Sequence, residues 1–596
     1  MRVLMIYVWA ASLLWSGLAS AALTNQLLNN PSPYLAMHGK DPVAWQEWNR
    51  ETIELARREN KMLYVSIGYF SCHWCHVMQR ETYSNVEIAK VLNSDFIPVK
   101  VDREIQGALD AQMQEFVMHT RGRSGWPLNV FITPEGYPLY ATLYSPPEEF
   151  KQIVLRLAEK WKSDREQLKQ LARQGDMGTP KPMAAEARFA PAIGKLYQTK
   201  FIQEALSQAD MLKGGFGTGK NANKFPMFPQ LSTLLEVQRK FPDPKLEEFL
   251  KLTLDQMSTQ GLYDQVGGGF FRYTIDPDWR VPHFEKMLYD NAQLSLLYLR
   301  ASQVFKEKRY QDIAFSTLDF MLTAMADSET GALLASASAV DDHNREGAYY
   351  LWDKDVLKKN LSSEEYKIAE KIWQLDQPSE FEYGYLPRYE IQPSPEEMKI
   401  LRKIDGKLAT LRSTRILPKD RKIITGLNGL ALQSLSEAGL LDARYKVAAK
   451  RVRDFIVGEY QNGRLSKGIS QGISLGRGDL EDYAYASAGL LSYARMTGSK
   501  EDEAISRKQV EDAWQKFYGV NGWKLEEEPL LAKPYYQSIV PDSATSSPSG
   551  MLVQTSWQLG GKALRTNALR ALNAGYEILD QGVFWYGTQV TAMNNL

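Results

Sequence analysis

The sequence predicts a multidomain protein, an α/β domain followed by an all-α domain of helical hairpins. Three observations carry this. The chain of 596 residues is longer than one hydrophobic core ordinarily serves. Two apolar stretches of strand length, Lys61 to Tyr69 and Phe96 to Asp102, flank a segment of helical composition, which gives strand, turn, helix, strand. From about residue 195 onward, roughly a dozen helix-like segments alternate with loops and convincing strands almost disappear.

Charge and the N-terminus bound the function class. Seventy-one basic residues cancel 71 acidic ones. The balance predicts no nucleic-acid partner and no acidic tail. Arg2, an apolar run from Val3 to Leu18 and the small residues Ala19-Ser20-Ala21 read as a secretory signal over 1–21. A retained N-terminal anchor is the alternative, although the run is a little short of the roughly 20 residues a spanning helix needs. The mature chain is therefore expected outside the cytoplasm, periplasmic or extracellular, with no stable membrane insertion after cleavage.

Within the first domain, expected over 22–165, the segment "SCHWCH" from Ser71 to His76 holds both cysteines of the chain. A Cys-x-x-Cys-His run is compatible with a redox dithiol, a haem attachment or half a zinc site. A disulfide across so short a loop constrains the unfolded chain little, so stapling is not its purpose. The strand before it and the helix after it favour redox chemistry. Amide N–H groups and the helix dipole at a helix start stabilise a thiolate. Cys72 is expected to attack and Cys75 to resolve, with His73 and His76, when protonated, adding charge and Trp74 lying between the sulfurs in sequence. Haem needs a chain that wraps the porphyrin. Zinc would need His73 and His76 beside the cysteines, and these point different ways on a helix. No cofactor and no metal are therefore expected.

"SGWPLNVFITPEGYPLY", Ser124 to Tyr140, reads as a loop, a proline, a strand over Leu128 to Ile132, a turn and a returning strand. An X–Pro bond adopts the cis form at small cost. In thioredoxin-like folds such a proline faces the dithiol, which makes Trp126 and Pro127 supporting residues, with Trp126 offering backbone hydrogen bonds to an extended peptide.

"SPYLAMHGKDPVAWQEW" (Ser32 to Trp48), "SIGYFSCHWCHVM" (Ser66 to Met78), "VDRE" (Val101 to Glu104) and "GWPLNVFITP" (Gly125 to Pro134) together resemble the thioredoxin-domain family of spermatogenesis-associated protein 20 and its bacterial relatives, among them DsbH-like periplasmic oxidoreductases. The resemblance implies a thioredoxin-like domain followed by a helical domain similar to six-hairpin glycosidases and N-acylglucosamine 2-epimerases. Departures fall more heavily on the second half: "NANKFP" at 221–226, "FFRYT" at 270–274, "LNGL" at 427–430 and "SAVDDHNREG" at 338–347. Phe271 stands where the family carries a histidine, which removes a polar group from the expected cleft. In the first domain "TLYSPP" at 142–147 also departs, outside the dithiol.

The stretch 166–190 loses apolar periodicity and gathers Gly and Pro, as a linker does. The rest, 191–596, is expected to form an (α/α)6 toroid with a central cleft; no fixed-period repeat supports a solenoid. In "VPHFEKMLYDNA", Pro282 suits a first helical turn and would set His283, Met287 and Asp290 on one face. Asp264, Asp276, Glu285 and Asp482 add carboxylates of the kind that serve as acid and base in sugar chemistry. Helix capping and a satisfied core histidine account equally for these residues. The expected function is an exported thiol–disulfide oxidoreductase acting on protein thiol and disulfide clients with a redox partner. Carbohydrate processing or binding by the toroid, and non-catalytic docking of clients, are the competing functions.

Overall fold

The structure is a computed structural model and describes residues 23–175, 190–217, 219 and 222–595. The leader at 1–21 and the later part of the linker lie outside these residues. The first domain runs α1 (Pro33–Met37), α2 (Arg50–Glu59), β1 (Met62–Gly68), α3 (His73–Met78), a π-helical turn at Gln79–Tyr83, α4 (Val86–Asp95), β2 (Phe96–Asp102), α5 (Gly107–Arg121), β3 (Leu128–Ile132), β4 (Pro138–Thr142), α6 (Pro147–Ser163) and α7 (Arg165–Gln174). The sheet order is β2-β1-β3-β4. β1 and β2 pair in parallel, so α3 and α4 form the crossover, and β3 returns antiparallel to β1. Every residue of β1, β2 and β3 is buried, as expected of strands covered on both faces.

The linker reading needs one correction. α7 packs against β4, and Lys169 within it pairs with Glu135 at 2.8 Å. Residues 166–174 therefore belong to the first domain. Leu168 and Ala172 are enough to hold a helix on the sheet, although its polar composition reads as a connector.

The helical domain closes into a ring. Helices α9 (Phe228–Lys240), α11 (Leu288–Phe305), α16 (Thr425–Gly439), α18 (Leu480–Thr497), α20 (Pro548–Leu559) and α23 (Gly587–Asn594) pack in that order, and α23 returns to α9. Outside them stand α8 (Pro191–Gln208) against α23, α10 (Pro244–Thr259), α12 (Lys308–Ala324), α17 (Arg444–Gly458), α19 (Lys500–Phe517) and α21 (Lys562–Asn573). This is an (α/α)6 toroid. Three further helices, α13 (Lys354–Asn360), α14 (Ser363–Trp373) and α15 (Pro395–Arg412), are inserted before α16 around their own core of Trp352, Trp373 and Leu401. The short α22 (Tyr576–Gln581) precedes α23.

Composition explains which helix is inside. α16, TGLNGLALQSLSEAG, carries no basic residue and is buried nearly all round, whereas α17, RYKVAAKRVRDFIVG, has charges on one face and buries the other. Gly429 of α16 and Gly489 of α18 let these two inner helices touch backbone to backbone, since a Cβ on either would collide with the other helix. Among the described residues no helix is long and apolar enough to cross a membrane.

The first domain sits over the N-terminal ends of α11, α16 and α18. Lys422, just before α16, is fully buried between Asp102 at the end of β2, Glu104 at 2.9 Å and Asp420 at 2.8 Å. Burial and the two neighbouring carboxylates push the Asp420 carboxyl well up. Glu104, which burial alone would raise, is held below the ordinary glutamate range by Lys422. Replacing Lys422 by Met leaves buried carboxylates without their counter-charge and is expected to cost about 3–5 kcal/mol. Urea unfolding of the full chain checks this; an unchanged midpoint would exclude the cluster as the domain clamp.

Candidate functional site

β1 ends at Gly68, and the chain turns through Tyr69-Phe70-Ser71 into α3, with Cys72 as its N-cap. Cys72 Sγ accepts the Cys75 N–H at 3.2 Å. The two cysteines are joined by a disulfide with their Cα atoms 5.3 Å apart. The Trp126–Pro127 bond is cis, and the pairing of Leu128 with Ile67 sets it beside the Gly68 end of β1.

The helical domain covers this end of the sheet. Tyr69 Oη donates to Glu285 Oε1 at 3.1 Å and accepts from Arg272, which pairs with the same carboxylate at 3.4 Å. Ser71 Oγ reaches Glu285 Oε2 at 3.4 Å and Met287 Sδ at 3.3 Å. His283 Nδ1 lies 2.9 Å from Glu285 and its ring stacks on Tyr273. His73 faces the His283 ring at 6.1 Å and Glu346 at 3.6 Å. Cys72 is 3% exposed and Cys75 1%. The attacking sulfur expected at Cys72 is therefore buried, and the residues just before it, Tyr69 and Ser71, are held by Glu285 and Met287 of the helical domain. Trp74, 47% exposed and packed on Tyr144, marks the open flank.

The electrostatics also correct the sequence reading. Burial lowers the pKa of His73 and of His76, whose Nε2 bonds the Phe70 carbonyl at 2.8 Å. With the disulfide closed, burial keeps both neutral near pH 7. Trp126 Nε1 donates to Asp110 at 2.8 Å and its ring lies beneath the guanidinium groups of Arg103 and Arg272.

The expected toroid cleft is not one constellation. Pro282 and His283 form a short strand paired with Tyr273 and Thr274, and Lys286 and Met287 pair with Ser336 and Ala337. These pairings consume the segment, so the helix starts only at Leu288 and the helical face proposed for His283, Met287 and Asp290 does not exist. His283 and Glu285 reach the dithiol. Asp290 lies nearby, its carboxyl pushed up to about 8 by burial. Asp264 is instead bound by Lys286 and Arg412. Asp276 closes its own turn, accepting the N–H groups of Asp278, Arg280 and Val281. Asp482 completes the capping box of α18 and pairs with Lys467 at 3.0 Å. Phe271 packs against Phe284 and Tyr350 in an apolar cluster. Between the domains lies a cavity of about 280 Å³, lined among others by Arg103, Trp126, Tyr289, Glu481, Asp482 and Tyr485, and beside it a larger one of about 530 Å³, lined among others by Ala108, Glu115, Asp479, Tyr535 and Tyr536. Among the described residues no group of three or more His, Cys, Asp or Glu is placed to hold a metal ion.

Sequence reasoning missed Tyr69, Ser71, Arg272, Glu346 and Lys422, each with a partner in the other domain, and Arg103, which pairs with Asp110 and lies over Trp126 within its own domain. It also passed over Lys100 and Tyr34, although a lysine inside the buried strand FIPVKVD was a visible signal.

Fold and site define a two-domain protein in which a thioredoxin-like domain bearing a disulfide is capped by an (α/α)6 toroid. Residues 24–176 match the Thioredox_DsbH family, described as a protein of unknown function, DUF255. Spermatogenesis-associated protein 20 of Homo sapiens is 35% identical over 353 residues, 56% of this chain and 44% of that protein, so the match spans less than half of this relative. An uncharacterized protein of Caenorhabditis elegans is 28% identical over 568 residues, 85% of this chain and 76% of that protein. Solved structures similar to the chain include a cellobiose 2-epimerase from Bacillus thermoamylovorans (TM-score 0.45, 11% identity, 66% of this chain and 88% of that one) and a DsbH oxidoreductase (TM-score 0.15, 22% identity, 17% and 74%).

Burial alone would lower the His283 pKa; Glu285 and Glu346 outweigh it and hold it above the ordinary histidine value. Its contribution to stability is then complete below about pH 6.5 and is lost as pH rises through the raised value. The stability difference between wild type and His283→Gln, read by urea unfolding from pH 5.5 to 8.5, is expected to be largest at the acid end. A difference independent of pH would show that the pair is uncharged.

Proposed function

We propose that this protein is an exported thiol–disulfide oxidoreductase whose dithiol works from beneath a helical cover. The observation that supports it most is the Cys72–Cys75 disulfide at the start of α3, where unpaired amide groups favour a thiolate at Cys72. In the reducing direction the Cys72 thiolate attacks one sulfur of a client disulfide. That S–S bond breaks, one client sulfur leaves as thiolate, and a mixed disulfide forms. The Cys75 thiolate then attacks Cys72 Sγ, the second client thiolate leaves, and the pair is oxidised while the client has gained two electrons. A redox partner restores the dithiol. Because Glu285 and Met287 lie over Tyr69 and Ser71, a protein client reaches Cys72 only when segment 271–287 withdraws.

Cys75→Ser is expected to trap mixed disulfides, seen as adducts lost on reduction in non-reducing electrophoresis. Adding Glu285→Ala removes a buried charged partner worth about 1.5–3 kcal/mol, and modification of Cys72 by a small aromatic disulfide should speed up at least about tenfold. Absence of any adduct, with full biological activity in the Cys72→Ser protein, would remove this function.

A second reading is favoured by the interdomain cavity, whose about 280 Å³, aromatic walls and carboxylates suit a monosaccharide-sized ligand. Calorimetric titration of the full chain with common monosaccharides decides it: heat of binding abolished by Glu481→Gln supports a sugar site, and its absence across the set rejects one.

A further inference from the structure

Five lysines among the described residues are buried: Lys100, Lys224, Lys286, Lys422 and Lys467. Four form ion pairs, with Asp210, with Asp264, with the Asp102 cluster, and with Asp479 and Asp482. Lys100 forms none. Its Nζ donates to Ser66 Oγ at 2.9 Å and otherwise meets the faces of Tyr83, Trp45 and Tyr34 at 4.4, 5.2 and 5.3 Å. Ring faces and one hydroxyl compensate a buried ammonium only in part. The carboxylate that acts on it, Asp41, is engaged by His38 at 2.7 Å, Trp45 Nε1 and Gln79. Burial brings the Lys100 pKa down to about 7. His38, on the same side, is held neutral, its pKa lowered to about 3 by burial and by Lys100.

This lysine lies on the face of the sheet that carries the dithiol, next to Asp102, which pairs with Gly68 and whose charge is met by Lys422 and Ser32. Lys100 pairs across the sheet with Ser66, and Gly68 follows on the same face of β1. A Cβ on Gly68 would lie 2.8 Å from Cys75 Sγ and would collide with the Tyr34 hydroxyl. The missing side chain is therefore what brings that hydroxyl and that sulfur together. Tyr34 Oη is buried and has no hydrogen-bond partner. Burial raises its pKa, so it stays protonated and can only gain by donating.

We propose that Tyr34 and Lys100 form a buried electrostatic site for the resolving sulfur: the Tyr34 hydroxyl donates a hydrogen bond to Cys75 Sγ, and the Lys100 ammonium balances the negative charge that this sulfur carries once the disulfide is open. Resting on the oxidoreductase function, this assigns the second half of the exchange. Cys75 releases its proton to solvent and attacks Cys72 Sγ as a thiolate; the client sulfur leaves with the electron pair of the broken bond and takes up a proton. Tyr34 contacts the reacting sulfur, and Lys100 is a positioning residue that acts through its charge.

The test labels the two cysteines with ¹³C at Cβ in the full chain, reduces them chemically, and follows each sulfur by NMR as pH is varied. Signals are assigned with Cys72→Ser. In Tyr34→Phe and in Lys100→Met, the Cys75 midpoint is expected to rise by about one pH unit while that of Cys72 moves far less. Measured at a pH above both Cys75 midpoints, the equilibrium constant for reduction by glutathione should fall about tenfold, which is about 30 mV toward a more reducing pair. Tyr34→Phe keeps the ring, so it decides the matter even if Lys100→Met fails to fold. An unchanged Cys75 midpoint in Tyr34→Phe overturns the inference, and equal movement of both sulfurs shows a general disturbance and overturns it as well. If the wild-type pair does not equilibrate with glutathione, the oxidoreductase function fails, whereas the titration still decides what Tyr34 and Lys100 do.

Discussion

One buried ammonium holds the two halves of this molecule in register. Lys422 stands just before an inner helix of the ring, and the carboxylates around it come from the end of β2 and the residues after it as well as from Asp420, two residues before the lysine. Such a cluster adds little net stability beyond what an apolar contact would provide, but it tolerates few alternative dockings, because any shift strands a charge in a dry interior. Since β2 lies next to β1, fixing the end of one fixes the end of the other. The dithiol, immediately after β1, then falls under segment 271–287 of the ring.

That placement decides what kind of site this is. Buried apolar side chains form one connected cluster through both domains, with Cys72 and Cys75 inside it. The immediate cover, in contrast, is polar: Tyr69 and Ser71 hydrogen-bond Glu285 across the boundary, and Arg272 and His283 lie at ion-pair distance from the same carboxylate. A polar interface over a reactive sulfur costs less to separate in water than an apolar one, since each group regains solvent. The ring is affected in turn, as the first domain covers its mouth and leaves cavities between the two.

Much of the first domain was legible because its signals are local. Strand-length apolar runs gave β2 and β3 with their observed bounds, and the proline before β3 is indeed cis. The toroid was legible from the loss of strands and the alternation of helices, and its closure follows from α23 packing back on α9. Polar residues were harder. Asp482 and Asp276 are capping and turn residues, as their type and position allow, whereas His283 and Glu285 serve the dithiol through strands too short to have a period. α7 was mistaken for linker because few apolar residues suffice once a sheet is there to receive them.

By itself the sequence determined the local chemistry: a cysteine pair at a strand-to-helix turn, a proline before the next strand, and inner helices too apolar to face water. These depend on residue type and on neighbours a few positions away. Only the tertiary structure decided that the sulfurs are covered, that their histidines are neutral and that one lysine beneath them lacks a counter-ion. Burial and charge are sums over groups hundreds of residues apart, and such sums exist only once the chain has folded.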